Sequence, residues 1–253
     1  MKFSYLGSGS KGNAALVEAG STLVMVDCGF SVTQVESRLD RLSRSARDID
    51  AIVVTHEHSD HLGGVARLAR RYELPVWMTA GTWAAARDKK IPSLHLFNSH
   101  QTFSVGDLTL RPMPVPHDAR EPCQFVFDDG QRRLAILTDT GHITPHIVER
   151  LEQCDALVIE FNHDYEMLML GPYPQKVKQR VAGNLGHLNN RQAAEMVGRL
   201  DLSKLQHLVA VHISEVNNSV THAMKALSDE LGEDAQRVEF AGQKTGLGWR
   251  ELA

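Results

Sequence analysis

The stretch "IVVTHEHSDHLGG" places His56, His58 and His61, with Glu57 and Asp60 between them, within six consecutive residues. A packed interior cannot hold five such groups unpartnered, because each buried polar or charged side chain needs hydrogen bonds or a metal ion. Divalent-metal chemistry is therefore the first expectation. The second histidine follows the first by two residues, not four, so this is not the helix-borne H-E-x-x-H pattern of zinc proteases. With an apolar run in front, the motif belongs on a strand-to-helix loop. There His56 and His58, at alternating positions, can address one metal while Asp60 and His61 turn toward a second. Gly63 and Gly64 let the backbone turn into the next helix. One loop supplies too few ligands. The remainder is expected at the ends of apolar strands, where "PMPVPHDA" offers His117, "LAILTDTGH" offers Asp139 and "HLVAVHIS" offers His212.

The elements that must position these residues are legible in outline. "ALVEA" and "TLVMVD" read as neighbouring strands, "SVTQVESRLDRLSR" as a helix behind a Ser31 cap, and "AIVV" and "PVWMT" as further strands. From residue 102, "TFSVGDLTLRPMPV", "CQFVFDD" and "RLAILTD" read as strands around turns at "GD" and "DDGQ", before helix and strand alternate again. No linker or repeat separates the two halves, which divide near residue 115. A single domain over residues 1–253 is expected, built as a four-layer α/β/β/α sandwich whose strand ends converge on one edge.

The chain has 253 residues and 42% hydrophobic composition, enough for a large core. Its net charge of −4 argues against coating nucleic acid by bulk electrostatics, and Arg67, Arg70, Arg71 and the Lys176, Lys178, Arg180 group read as ordinary solvated helix faces. Cys28, Cys123 and Cys154 are odd in number and far apart, so neither a disulfide framework nor a thiolate site is indicated. With no signal-peptide or membrane-span pattern, a soluble cytoplasmic protein without a membrane partner is expected.

T-H-x-H-x-D-H followed by a separate His, an Asp and a final His resembles the metallo-β-lactamase-fold hydrolases. That resemblance implies the α/β/β/α sandwich, with His56, His58 and His117 on one metal, Asp60, His61 and His212 on the other, and Asp139 bridging. "GSGSKGN", "VIEFNHDYEML" with "GPYP", "GNLGHLNN" and "HISEVNN" further resemble the WalJ/YycJ-type 5′-exonuclease group, relatives of RNase Z. That group typically has Ser at the position of Phe161 and often at that of Asn189.

Imidazole and carboxylate donors suit two divalent ions, Zn²⁺ or Mn²⁺ alike. Such a pair, roughly 3.5–4 Å apart, can lower the pKa of a shared water and drive hydrolysis of a lactone, a thioester or a phosphodiester. His187 lies between a glycine-containing loop and the expected helix "NRQAAEMVGRL", where it can meet an anion. By resemblance to the RNase Z-type enzymes it is the general acid that protonates the leaving oxygen while a metal-bridging hydroxide attacks phosphorus. Ser8, Ser10, Asn13, His163, Ser214, Asn217 and Asn218 are candidates for substrate contact, and Asp27 for orienting a ligand histidine. The resulting expectation is a phosphodiesterase acting on nucleic acid, with DNA degraded 5′ to 3′. The alternatives are another hydrolase of this fold, acting on RNA, a cyclic phosphodiester, a lactone or a thioester, or a metal-stabilised nucleic-acid-binding protein.

Overall fold

The computed structural model describes residues 1–152 and 154–253. Two seven-stranded sheets form its centre. The first runs, edge to edge, Leu247–Glu251, Lys2–Gly7, Ala14–Ala19, Thr22–Val26, Ala51–Val53, Pro75–Thr79 and Ser93–Phe97. The second runs Val238–Phe240, His207–Val211, Ala156–Glu160, Arg133–Leu137, Cys123–Asp128, Leu108–Pro114 and Phe103–Val105. The chain passes from one sheet to the other between Phe97 and Phe103, and its last strand returns to the first sheet.

Strand alternation separates three cores, as the two-residue period of a strand requires. Val24 and Val26 point between the sheets, where they meet Phe125, Phe127, Leu134 and Ile136. Leu23 and Met25, one position out of phase, face the other way onto Val35, Leu39, Val65 and Leu68 of the outer helices. The second sheet repeats the rule. Val158 and Val209 face inward, while Leu157, Ile159 and Ala210 pack against Ile147, Ala193, Met196 and Leu227 of the opposite helical layer. This is the expected α/β/β/α sandwich. Fully buried aromatic and aliphatic side chains such as Phe3, Phe125 and Leu110 contribute about 1.5–3 kcal/mol each relative to exposure.

The outer helices are delimited by local chemistry. Helix Val32–Asp40 begins with a capping box in which the Ser31 hydroxyl accepts from Gln34 N and Gln34 Oε1 accepts from Ser31 N. Helix Val65–Tyr72 buries Val65, Ala66, Leu68 and Ala69 and exposes Arg67, Arg70 and Arg71. Asn189 caps helix Asn190–Val197 in the same reciprocal manner with Gln192. A serine would serve the same purpose there, so Asn189 is a conservative choice for that cap. Phe161 is fully buried in the outer core beside the second sheet. No helix among the described residues is long and apolar enough to cross a membrane.

Pairing direction decides where the chemistry lies. Thr22–Val26 is parallel to Ala51–Val53, and Arg133–Leu137, Ala156–Glu160 and His207–Val211 are mutually parallel. Their carboxyl ends therefore open on one edge of the sandwich, the usual place for ligands in open α/β sheets.

Candidate metal centre

Each functional segment leaves a strand by an abrupt turn. Asp27, Asp139 and His212 take left-handed φ values of 58°, 54° and 55° just beyond strands ending at Val26, Leu137 and Val211. Such backbone costs non-glycine residues about 1 kcal/mol or more each and persists where surrounding contacts over-determine it. The histidine-rich loop is pinned just as tightly. Gly64 N donates to Cys28 O at 2.7 Å, and a Cβ on Gly64 would lie 1.9 Å from Phe30 O, so only glycine permits this approach.

At one end of the cleft three imidazoles converge. His56 Nε2 and His117 Nε2 lie 3.1 and 3.2 Å from His58 Nδ1. Ligand nitrogens at about 2.0–2.1 Å from a tetrahedral zinc would stand about 3.3 Å apart, so this triplet has the spacing of a facial three-nitrogen set. The far ring nitrogens are engaged. His117 Nδ1 donates to Gly186 O at 3.0 Å, and His56 Nδ1 donates to the Thr55 hydroxyl, which itself donates to Asp27 Oδ2 at 2.7 Å. These bonds fix the tautomers that leave Nε2 free.

The other end is mixed. His61 Nε2 lies 3.4 Å from Asp60 Oδ2 and 3.3 Å from Asp139 Oδ2, while His61 Nδ1 donates to Asp27 Oδ2 at 2.7 Å. His212 reaches Asp60 Oδ2 through Nε2 at 3.8 Å and Asp139 Oδ1 through Nδ1 at 3.3 Å. Asp139 also lies 4.0 Å from His117 Nε2, so its carboxylate stands between the two ends. Asp139 Oδ2 and His212 Nδ1 are buried without a hydrogen-bond partner. A divalent cation supplies what these atoms lack, so the donor set fits metal ions. Four overlapping groups of donors, His56 with His58 and His117, His56 with His61 and Asp139, Asp60 with His61 and His212, and Asp139 with Glu160, His187 and His212, each come close enough to share an ion.

Electrostatics differ along the cleft. Burial pushes the His56 imidazole well below its ordinary value, with the His61 charge adding to the effect, and burial likewise lowers His117. Burial also opposes the charged forms of His61 and His212, but carboxylates prevail there. Asp139, Asp27 and Asp60 hold His61 well above the usual imidazole range, and Asp139 with Asp60 and Glu160 pushes His212 up to about 10. Burial would raise Asp139, yet His212, His61 and His56 keep it well below the usual carboxylate range.

His187 sits at the rim, with its backbone N donating to Val181 O at 2.9 Å. Its Nδ1 donates to Glu160 Oε2 at 3.1 Å and lies 3.6 Å from Asp139 Oδ1. Glu160 is fully buried; burial would raise its pKa, but His187 and His212 bring it down to about 2, so it is an obligate acceptor. Its other oxygen accepts from the backbone N of Thr140 and Leu188, which locks the carboxylate in place. Sequence reasoning missed Glu160, although "ALVIE" ends an apolar strand in an acid as "LAILTD" does. Asp118, directly after His117, was missed as well. Its Oδ1 lies 3.6 Å from both His58 and His117, while its Oδ2 pairs with Arg180.

The accessory residues divide. Asp27 orients His61 and, through Thr55, His56. Asn13 Nδ2 lies 3.2 Å from Asp60 Oδ2 and 3.1 Å from His61 Nε2, so it borders the carboxylate end directly. Ser8 is buried and accepts from His212 N at 3.0 Å while donating to Asn13, which makes it a support beneath His212. Ser10 is exposed in the same turn. His163 is fully buried with neither ring nitrogen hydrogen-bonded. Burial lowers its pKa to about 4, with the nearby His187 charge contributing. Ser214 accepts from Asn217 N, and Asn217 O accepts from Asp164 N, so both organise the loop after His212. Asn218 is buried, exchanges bonds with Asn190 and donates to Phe161 O at 2.7 Å. The amide of Asn218 thus ties two loops together.

Residues 22–213 match the family described as beta-lactamase superfamily domain. The exodeoxyribonuclease WalJ of Streptococcus pneumoniae serotype 2 is 34% identical over 238 residues, covering 92% of this chain and 88% of its own. The exodeoxyribonuclease YycJ of Bacillus anthracis is 35% identical over 237 residues, covering 92% and 90%. Among solved structures, the metallo-beta-lactamase fold protein YhfI of Bacillus subtilis superposes with a TM-score of 0.75 at 16% identity, over 99% of both chains. The short form of human tRNase Z gives 0.67 at 18% identity over 100% of both. At such identities the structures speak for the fold alone.

Proposed function

The chain belongs to the beta-lactamase superfamily, and from that premise we propose that it is a phosphodiesterase with two divalent metal ions that degrades DNA from the 5′ end. The observation that carries this reading is the His187–Glu160 pair beside Asp139. A nucleotide 3′-oxygen is a poor leaving group and needs a proton, whereas the leaving group of an activated ester needs little. With Nδ1 fixed on a buried carboxylate, His187 keeps Nε2 available to hold and deliver that proton. The exodeoxyribonuclease names of the WalJ and YycJ relatives support DNA as substrate, and the motif resemblance supports the polarity.

His56, His58 and His117 are assigned to one ion, Asp60, His61 and His212 to the other, and Asp139 to both. Divalent ions held by these residues would supply polarisation of phosphoryl oxygens and activation of water. Asp27 and Thr55 hold His61 and His56 in the required tautomers, and Ser8 supports His212. The imidazole and carboxylate set suits Zn²⁺ and Mn²⁺, and the three free, buried cysteines suit the reducing cytoplasm. Digestion of 5′- and 3′-labelled DNA and RNA in a Zn²⁺ and Mn²⁺ series, beside a lactone and bis(p-nitrophenyl) phosphate, tests the proposal. Stepwise release from the DNA 5′ end is expected. Lactone turnover with no phosphodiester cleavage would overturn it.

A further inference from the structure

Beside the cleft lies a cavity of about 570 Å³ whose lining includes His58 and Ser59 of the histidine-rich loop. That volume falls within the ~300–1,000 Å³ range of small-molecule pockets. One wall is apolar, built by Leu62, Ala66, Ala85 and Ile91. The polar part holds Arg67, Arg87 and the carboxylate of Asp88, which Arg70 neutralises. The guanidinium groups of Arg67 and Arg87 are exposed, and among the described residues neither makes an ion pair or a side-chain hydrogen bond. Their neighbours behave differently. Arg70 grips Asp88 through two nitrogens at 3.1 and 3.0 Å and donates to Lys90 O, and Arg71 pairs with Glu36. The Arg70 fork fastens the segment carrying Arg87 to the helix carrying Arg67, so the two free cations are held across one cavity. Glu57 lines it too, with Oε1 accepting from Arg120 N and Oε2 buried without a partner.

We propose that this cavity is the subsite for a nucleotide flanking the scissile phosphate, with its base on the apolar wall and a backbone phosphate held by Arg67 and Arg87. The inference rests on the phosphodiesterase reading above and gives it a substrate-binding element. Two unpaired guanidinium groups match a phosphate's geometry and charge, and the apolar wall matches a base face. His58 joins the subsite to the metal centre, so a strand seated in the cavity continues into the cleft.

The test is steady-state hydrolysis of labelled single-stranded DNA by the metal-loaded protein and its Arg67→Ala, Arg87→Ala and Ala85→Leu variants, over a salt series. Lys204→Ala, which removes an exposed cation from the opposite end of the second sheet, is the control. Each arginine variant is expected to raise KM for DNA about tenfold with kcat within about twofold. Each should also flatten the dependence of log KM on log salt by ~0.7 per lost phosphate contact. Ala85→Leu, which narrows the apolar wall without changing charge, should raise KM with the salt slope intact. DNA turnover by the wild type with KM and salt slope unchanged in both arginine variants, or changed equally by Lys204→Ala, would overturn the subsite alone. Absence of DNA turnover by the wild type would remove the nuclease reading and the subsite with it.

Discussion

The two ends of the metal centre are built from opposite materials. Around His58 the near groups are imidazoles, and burial keeps His56 and His117 in the neutral form that a metal requires. Around His61 and His212 four carboxylates, Asp27, Asp60, Asp139 and Glu160, converge and hold protons on the rings that must give them up. One end is thus preset for a cation, while at the other imidazolium and carboxylate groups face one another as ion pairs, with Asp139 Oδ2 and His212 Nδ1 still lacking a hydrogen bond. Asp139 stands between the two ends, 3.3 Å from His61 Nε2 and from His212 Nδ1 and 4.0 Å from His117 Nε2. Metal loading is therefore expected to be sequential and pH-dependent at one end, even though the ends share a wall.

The sharpest way to break this distinction is Asp139→Asn, which preserves shape and removes the shared charge. Hydrolysis is expected to fall to background, and metal per chain to drop from two toward one or none by elemental analysis. Retention of two ions with activity would show that neither end depends on Asp139. The next effect divides the late histidines. His187→Ala should keep both ions and lose about 10²–10⁴-fold in turnover of DNA, the span typical of a deleted general acid, with a smaller loss on a p-nitrophenyl ester. His212→Ala should lose one ion and fail on both substrates. The reverse pattern of metal contents would exchange the two roles.

The architecture and most of the cluster were readable because they follow from local rules. Val24 and Val26 against Leu23 and Met25 express a two-residue period, and His117, Asp139 and His212 each end a run that such a period marks as buried. Glu160 escaped notice for a different reason. It stands among Asp164 and Glu166 in sequence, and only the pairing of Ala156–Glu160 between Arg133–Leu137 and His207–Val211 places it under His187 and His212. Asn218 and Ser8 carry the same lesson in the other direction. Both read as loop hydrogen-bonders, but long-range packing turns them inward, against Asn190 and His212. Spacing along a chain reports burial well and direction poorly when the partner lies 28 or 204 residues away.

A smaller effect sharpens the contrast between the ends. The folded pKa of His212 is raised to about 10, and that of His61 is raised well above the ordinary range, so near pH 7 both keep protons that a metal must displace. Uptake at this end should strengthen as pH rises from about 7 toward 10, by up to about tenfold per pH unit for each proton released. The three-histidine end should vary much less over that window, since His56 and His117 are lowered. Calorimetric titration with one and then two equivalents of Zn²⁺, in buffers of different ionisation enthalpy, reads the protons released at each step. Equal proton release in both steps would erase the electrostatic difference.

The smallest effect concerns the fold itself. Chelation should abolish activity yet leave one cooperative thermal transition, because the three cores are formed by side chains that never touch the cleft, among them Phe3, Phe125, Leu39, Leu68, Leu157 and Leu227. Ions bound at a thousand times their dissociation constant add about 4 kcal/mol by mass action, and in a chain of this size about 1 kcal/mol moves Tm by roughly 2–4 °C. A downward shift of about 10 °C with unchanged far-ultraviolet circular dichroism at 25 °C is therefore expected on adding EDTA. The neutral end has few charges to rearrange when its ion leaves, and the carboxylate end re-forms its imidazolium pairs, so neither is left with isolated buried charge. Loss of circular dichroism on chelation at 25 °C would mean that this internal compensation fails and that the ions are part of the fold.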